Sequence, residues 1–201
     1  DPRMIKILIV ISALLWSMPA LAEDPALAEL FSQQGVQGTI VMSSLNGGKT
    51  FIHNDLRAGQ RFSPASTFKI PNTLIALEEK ALAGKDDIFK WDGQVHDVAA
   101  WNHDQTLTSA FKVSCVWCFQ ELARRVGAEK YQQYLRDLNY GEWREPFVAT
   151  TFWLDGSLQI SALEQVNFLR RVYRRELPLS DPAYETLKHI MLVEEGNTYT
   201  L

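Results

Sequence analysis

Pro64-Ala65-Ser66-Thr67-Phe68-Lys69 stands before an apolar run and carries a serine and a lysine three residues apart. The residue before a proline prefers extended geometry, so a helix is predicted to begin near Ser66 and to continue to about residue 81. Residues three apart on a helix lie on one face. A serine becomes a nucleophile when a base lies beside it, and a lysine acts as that base once its amine is neutral or modified. Ser66 and Lys69 are therefore the candidate nucleophile and base.

The Ser-x-x-Lys pattern alone is a weak signal, because chains with this many serines and lysines contain such matches by chance. A second match, Ser109-Ala110-Phe111-Lys112, occurs further along. The predicted helix start favours Ser66, since the unpaired N–H groups and the macrodipole at a helix N-terminus stabilise negative charge. Pro71 lies about one turn into this helix, and its ring is expected to kink the helix at the carbonyl of Thr67.

The composition is that of an ordinary globular protein, with 201 residues of which 46% are apolar and 22% charged. This length predicts one domain. The net charge of −4 gives no electrostatic attraction for nucleic acid. The four histidines are scattered, and the cysteines lack the spacing of a zinc site. We therefore predict no metal and no nucleic-acid partner.

The N-terminal segment has the three parts of a secretory signal peptide. Arg3 and Lys6 flank the start of an apolar run over residues 7–16, and Ala20-Leu21-Ala22 is a cleavage site of the A-x-A type. The apolar run is too short for a comfortable membrane span. Residues 4–22 are therefore predicted to be a signal peptide. Residues 23–201 are predicted to form a periplasmic domain with no stable membrane anchor after cleavage.

Cys115 and Cys118 are the two cysteines of the chain. The simplest interpretation is that both are small apolar core residues. In the oxidising compartment that a signal peptide implies, they are also able to pair, and such a pair at a helix start is a candidate redox site.

The pattern along the chain predicts strands first and helices later. Strands are predicted over 38–42 and 50–53, joined by a hairpin turn at Asn46-Gly47. A capping box from Ser161 to Glu164 opens one of the helices. The helices are predicted over 25–34, 66–81, 105–126, 128–138, 161–174 and 181–192. With a final strand beginning at Thr198, this order predicts an α+β fold.

Three more stretches follow Ser66 and Lys69 in order, namely Ser114-Cys115-Val116, Tyr140-Gly141 and Phe152-Trp153-Leu154-Asp155-Gly156. Together with residues 64–69, this series resembles the motifs of the class D serine β-lactamases, the oxacillinases, from about Phe31 to Leu201. The resemblance implies the fold of serine β-lactamases and penicillin-binding proteins, in which a helical lobe lies beside an antiparallel sheet. It also implies hydrolysis of β-lactam antibiotics through a serine acyl-enzyme, and hence antibiotic resistance. A dimer is compatible with it.

The resemblance implies a role for each matched residue. Ser66 attacks the β-lactam carbonyl, and Ser114 relays protons to the lactam nitrogen. Lys69 carries a carbamate formed with CO2 and is the general base, so no other cofactor is implied. Other residues pack beside the modified lysine, hydrogen-bond it, or line the site and its entrance, namely Val116, Phe119, Trp153, Leu154 and Trp101.

The chemistry of a buried lysine supports this assignment independently. A lysine among apolar side chains loses the water that stabilises its ammonium form, and the neutral amine can react with CO2. Two of the assignments have plain alternatives when the resemblance is set aside. Trp153 is equally well a core aromatic, and Ser114 is equally well a helical residue that hydrogen-bonds its own turn.

The sequence departs from the family pattern at three places, one of which is the pair Cys115 and Cys118, both unusual choices in this helix. Glu142 follows Tyr140-Gly141 where the family has Asn. The Lys-Thr/Ser-Gly strand of the family is absent, because the sequence ends shortly before its place. The β-lactamase/transpeptidase-like domain over 23–201 is therefore expected to be incomplete and to lack the C-terminal strands of its sheet. Two other functions stay open, a penicillin-sensing domain of a membrane receptor and an inactive truncated remnant.

Overall fold

The computed structural model describes residues 23–192, and most of their regular structure is helical. The helices are α1 (Pro25–Gln33), α2 (Asp55–Gly59), α3 (Lys69–Glu78), α4 (Leu107–Lys112), α5 (Val116–Val126), α6 (Ala128–Asp137), α7 (Ala162–Tyr173) and α8 (Asp181–Met191). Two short 3₁₀ helices cover Ala65–Phe68 and Ala99–Trp101. The strands are β1 (Ile40–Ser43), β2 (Thr50–His53), β3 (Arg61–Phe62), β4 (Ile88–Phe89), β5 (Gln105–Thr106), β6 (Glu142–Trp143) and β7 (Leu158–Ser161).

The strands form small antiparallel sheets, which confirms the predicted α+β class. β1 and β2 are the predicted hairpin, with Gly47 at a φ of 74° in its turn. β4 pairs with β5, and β7 lies between β3 and β6. The short strands β3 to β7 and helix α2 are additional to the predicted elements.

The three-stranded sheet brings distant parts of the sequence to one place. Arg61 in β3 is opposite Ser161 in β7, and Glu142 in β6 is opposite Gln159 in β7. β3 leads directly to Ser66, while β6 follows Tyr140-Gly141. Gly141 is required for this pairing, since it has a φ of 63° and a Cβ there would lie 2.3 Å from the Gln159 carbonyl oxygen.

Polar residues cap the starts of several helices. The carboxylate of Asp24 accepts hydrogen bonds from the amides of Ala26 and Leu27 at the start of α1. The predicted capping box of α7 is confirmed, with Ser161 and Glu164 each bonding the other's amide. α8 begins at Asp181 as predicted, with Ser180 at the N-cap.

Two predicted helices have a different form in the structure. The predicted helix over 66–81 is a 3₁₀ turn followed by α3, so Pro71 falls in the first turn of the α-helix, where the missing N–H of proline costs little. The expected kink is therefore replaced by a change of helix type. The predicted helix over 105–126 is interrupted after α4, because Ser114 adopts a φ of 53°. Residues 105 and 106 belong to β5.

The core is rich in aromatic side chains, and Phe68 lies at its centre. Its ring is fully buried and lies 5.0 Å from that of Phe152 and 5.7 Å from those of Tyr140 and Trp153. Such pairs each contribute about 0.5–1.5 kcal/mol beyond burial. Phe68 stands between Ser66 and Lys69, so this core fixes the turn that carries both.

The predicted signal peptide at 4–22 and the strand predicted at Thr198 lie outside the described residues. Between residues 23 and 192, no helix combines the length and the apolar character needed to cross a bilayer.

Candidate active site

Ser66 lies on the exposed side of the 3₁₀ turn that precedes α3. The turn is anchored by Ala65, which has a φ of 46° and whose amide donates to the Trp153 carbonyl at 3.0 Å. Neither the hydroxyl nor the amide of Ser66 has a hydrogen-bond partner among residues 23–192. The hydroxyl is therefore free to react, and the N–H is free to stabilise an oxyanion.

Lys69 is half-buried beside the C-terminal end of α4. Its Nζ donates to the Phe111 carbonyl at 2.8 Å and lies 4.6 Å from the centre of the Phe111 ring. Burial lowers the pKa of the Lys69 amine below its ordinary value. Lys69 therefore carries its proton less firmly than an exposed lysine does.

Ser114 lies in the turn between α4 and α5, and its backbone is left-handed. The Ser114 amide donates to the Phe111 carbonyl at 3.3 Å, and the Cys115 amide donates to the Ala110 carbonyl at 2.9 Å. This is a Schellman motif, in which the left-handed position is most often glycine. The alternative of a helical Ser114 bonded to its own turn is therefore wrong. The Phe111 carbonyl accepts from both Lys69 and Ser114, so the two candidate residues share one backbone group.

Trp153 is buried, and it connects to the Ser66 turn through its backbone. Its carbonyl accepts from the Ser63 hydroxyl at 2.7 Å as well as from the Ala65 amide. Its ring stacks on Phe68 at 5.7 Å. Its indole N–H has no partner in the described part of the chain. The ring is therefore a core aromatic, as one prediction held, while the N–H is a donor still available to a ligand or to a modified lysine.

The other predicted site residues occupy different positions. Val116 is the half-buried first residue of α5, and Phe119 is a core residue whose ring meets that of Phe111 edge to face at 6.3 Å. Leu154 is 39% exposed. Trp101 belongs to the second 3₁₀ helix, and its indole donates to the Val113 carbonyl at 3.0 Å, next to Ser114.

Glu142 is exposed and forms an ion pair with Arg61 at 2.7 Å. Arg61 also binds Glu164 through two nitrogens, with contacts of 2.6 to 3.1 Å. Burial raises the pKa of Glu164, but hydrogen bonds from Arg61 and the Ser161 amide outweigh this effect and lower it overall. The carboxylate that replaces the family's Asn is thus part of an ionic group that joins β6, β3 and α7.

Cys115 and Cys118 are fully buried and joined by a disulfide. The two cysteines are therefore core residues, and they also form the pair that the sequence left open. Pairing follows from the break at Ser114, which places Cys115 at the N-cap of α5 and brings the two Cα atoms to 5.4 Å. Burial of both side chains argues against a redox-active pair.

Two residues of the site were absent from the sequence-based prediction. The Phe111 carbonyl accepts a hydrogen bond from Lys69. The sequence signal that could have indicated Phe111 is its position three residues before Ser114. Gln165 in α7 donates to the hydroxyls of Thr67 at 2.7 Å and Tyr140 at 3.1 Å, and so links the residue after Ser66 to the Tyr140-Gly141 stretch. No local pattern in the sequence indicates this contact.

An open cavity of about 1170 Å³ lies against α3, α7 and α8. Its lining includes Ile70, Leu169, Val172 and Leu187, and it includes none of Ser66, Lys69 and Ser114. The candidate site is therefore defined by the polar residues of the helical lobe and not by this apolar cavity.

Residues 38–200 match the family described as "Penicillin binding protein transpeptidase domain". The chain belongs to this family and, within it, to the class D β-lactamases. It is 39% identical over 188 residues to "Beta-lactamase OXA-48" of Klebsiella pneumoniae, an alignment that covers 92% of this chain and 71% of that protein. The crystal structure of FUS-1 (OXA-85), a class D β-lactamase of Fusobacterium nucleatum subsp. polymorphum, matches with a TM-score of 0.85 and 37% identity, covering 89% of this chain and 74% of that one.

The chain is also similar to a protein that is not named a β-lactamase. "Regulatory protein BlaR1" of Bacillus licheniformis is 39% identical over 168 residues, which cover 83% of this chain and 28% of that protein. The chain spans between 61% and 71% of the length of three β-lactamases that it matches.

Proposed function

We propose that this protein hydrolyses β-lactam antibiotics through an acyl-enzyme on Ser66, with carboxylated Lys69 as the general base. The observation that carries this proposal is the pairing of an exposed, unbonded serine with a half-buried lysine one turn away. Burial lowers the pKa of Lys69, so more of its amine is neutral at a given pH. The names of its class D relatives support the substrate class.

Carboxylation explains how Lys69 becomes a base. The neutral amine attacks the carbon of CO2, forms an N–C bond and releases one proton, which leaves a carbamate anion. An anion in partly apolar surroundings requires hydrogen-bond donors. The unpartnered indole N–H of Trp153 supports the proposal, because it supplies such a donor.

Acylation then proceeds by proton transfer to the carbamate. The Ser66 hydroxyl gives its proton to the carbamate as Oγ bonds to the β-lactam carbonyl carbon. The ring C–N bond breaks, and Ser114 gives its proton to the nitrogen while it takes up the proton that the carbamate had received, so the carbamate is again an anion. In deacylation the carbamate takes a proton from water as the water oxygen bonds to the ester carbon. The C–Oγ bond then breaks, and Oγ takes the proton back from the carbamate, which restores the Ser66 hydroxyl. The free N–H of Ser66 stabilises the oxyanion at both stages.

Export and a role in antibiotic resistance belong to the same proposal. The segment over 4–22 has the composition of a signal peptide. The Cys115–Cys118 disulfide supports an oxidising location such as the periplasm, because disulfides are rare in reducing compartments.

The test of the mechanism is the dependence of turnover on CO2. In degassed buffer, hydrolysis of a chromogenic cephalosporin should fall by about tenfold or more and recover when bicarbonate is added, since a lost general base typically costs ~100- to 10,000-fold. Turnover should also fall as the pH falls, because protonation of Lys69 competes with carbamate formation. Activity that is indifferent to bicarbonate after degassing would contradict the carbamate.

Trp153→Phe provides a matched variant, since it removes the indole N–H and keeps an aromatic ring. The bicarbonate concentration for half-maximal activity should rise by about tenfold, in line with loss of a charge-assisted hydrogen bond of ~1.5–3 kcal/mol. Trp143→Phe is the control, because Trp143 lies in β6 and packs on Phe147, with the two ring centres 5.4 Å apart. An acyl adduct without turnover in the parent would instead support the penicillin-sensing alternative, and the absence of any adduct would support a remnant.

A further inference from the structure

Helix α5 begins without the side-chain hydrogen bond that usually caps a helix. Cys115 is its N-cap residue and makes no such bond. The first N–H groups of a helix have no partner within the helix, and Ser, Thr, Asp or Asn usually supplies one at this position. Cys115 and Cys118 at this helix start are both inaccessible to solvent. Another feature must therefore fix the geometry of this helix start.

The disulfide links the same two positions that a capping box links. Cys115 is the N-cap and Cys118 is the third helical residue, N3. In α4 the corresponding residues are Thr106 and Ser109, and each bonds the backbone amide of the other. The disulfide supplies no donor or acceptor of this kind, but it holds the two positions together by a covalent bond.

Ser114, the residue directly before this cap, occupies a conformation that needs external support. Its φ of 53° is uncommon for a residue with a Cβ, and such conformations persist when the surrounding structure fixes them. Its own hydrogen bond to the Phe111 carbonyl is long, at 3.3 Å. Because Lys69 donates to the same carbonyl, a shift of the Ser114 turn would disturb both residues.

We propose that the Cys115–Cys118 disulfide is a covalent cap of α5 that positions Ser114 beside Lys69. The two cysteines touch no reacting atom in this scheme, and they act through the backbone of Ser114. The catalytic part of the proposal rests on the proposed function, because Ser114 must take part in proton transfer for its position to affect the rate.

Two double variants of the full chain distinguish a capping role of the disulfide at α5 from simple packing of the two side chains. Cys115→Ala/Cys118→Ala removes the disulfide and leaves no cap. Cys115→Ser/Cys118→Ala also removes the disulfide but restores a hydroxyl that can accept from the amide of residue 118. Asp24→Ala is the matched control, because it removes the N-cap of α1, which lies far from Ser114 in sequence and belongs to another part of the fold.

Hydrogen exchange and the acylation rate are measured for each variant. In the double alanine variant, the amides of residues 114–119 should exchange roughly tenfold faster, and acylation of Ser66 by a fluorescent penicillin should slow by roughly tenfold. The serine variant should recover to within about threefold of the parent in both measurements. Asp24→Ala should accelerate exchange only in α1 and leave acylation unchanged.

The outcomes distinguish failure of this proposal from failure of the proposed function. Parent-like exchange at residues 114–119 in the double alanine variant overturns the covalent cap, whether or not the protein is acylated. Normal acylation despite fast exchange there overturns the positioning of Ser114. If the double alanine variant does not fold, the test rests on Cys115→Ser/Cys118→Ala. Parent-like exchange and acylation in that variant support the covalent cap, and loss of either overturns it. A parent that is never acylated refutes the proposed function and with it the catalytic role of the disulfide.

Discussion

Ser66-Thr67-Phe68-Lys69 and Ser109-Ala110-Phe111-Lys112 have the same serine-to-lysine spacing and the same phenylalanine at the third position, but their surroundings differ. Ser66 is exposed and unbonded, whereas the Ser109 hydroxyl donates to Gln105 at 2.6 Å and accepts from the Thr106 amide at 3.0 Å. Lys69 is half-buried against Phe111, whereas Lys112 is exposed. The Ser-x-x-Lys pattern alone therefore does not define a site. The two matches differ in what their serine and lysine side chains contact.

The two phenylalanines explain part of this difference. Phe68 is fully buried in the aromatic core and orients its turn so that Ser66 faces solvent. Phe111 is half-buried, and its ring and carbonyl both contact Lys69. The second match thus contributes to the site as a support for the lysine of the first match.

The largest expected effect concerns the two serines. Ser66→Ala should lower acylation by at least ~1,000-fold, because the nucleophile is lost, while Ser109→Ala should retain an acyl adduct. Mass spectrometry of the protein after reaction with a penicillin, followed by peptide mapping, measures this. An adduct on the peptide that contains Ser109 or Ser114, and not on the one that contains Ser66, would show that Ser66 is not the nucleophile.

The two lysines should differ in the same direction. Lys69→Ala should reduce turnover by about 100-fold or more, since general-base catalysis typically contributes ~100- to 10,000-fold. Lys112→Ala should leave turnover unchanged, because Lys112 is an exposed residue at the end of α4. Steady-state kinetics of the two variants against one substrate provide the measurement. Equal losses would show that the environment of Lys69 gives it no special role.

Much of the candidate site could be predicted because its signals are local. The placement of Ser66 and Lys69 at a helix start follows from neighbouring residues, as does the capping box from Ser161 to Glu164. The family motifs pointed to Trp153 and Tyr140, and the ring of each lies 5.7 Å from that of Phe68. The helix start and the capping box need few contacts between distant segments.

The break at Ser114 could not be predicted from local signals. Helix ends are recognised from Gly or Pro, and this one has a serine in the left-handed position. The contact of Lys69 with Phe111 joins residues 42 apart in the sequence, and the ion pair of Glu142 with Arg61 links a strand of two residues to another of two residues. Strands of two residues are too short to show an alternation of apolar and polar residues, so neither their existence nor their register can be predicted from the sequence.

The smallest expected effect is on stability, and it should run opposite to the effect on activity. Ser109→Ala removes one half of the capping box of α4 together with the hydrogen bond to Gln105. Loss of a cap costs about 1 kcal/mol, which for a domain of this size lowers Tm by roughly 2–4 °C. Ser66→Ala removes an exposed hydroxyl with no partner among residues 23–192, so Tm should stay within about 1 °C of the parent.

Thermal unfolding of both variants, followed by circular dichroism, tests this contrast. A larger loss of stability in Ser66→Ala than in Ser109→Ala would show that Ser66 has a structural role, and that exposure and hydrogen bonding do not separate the two matches.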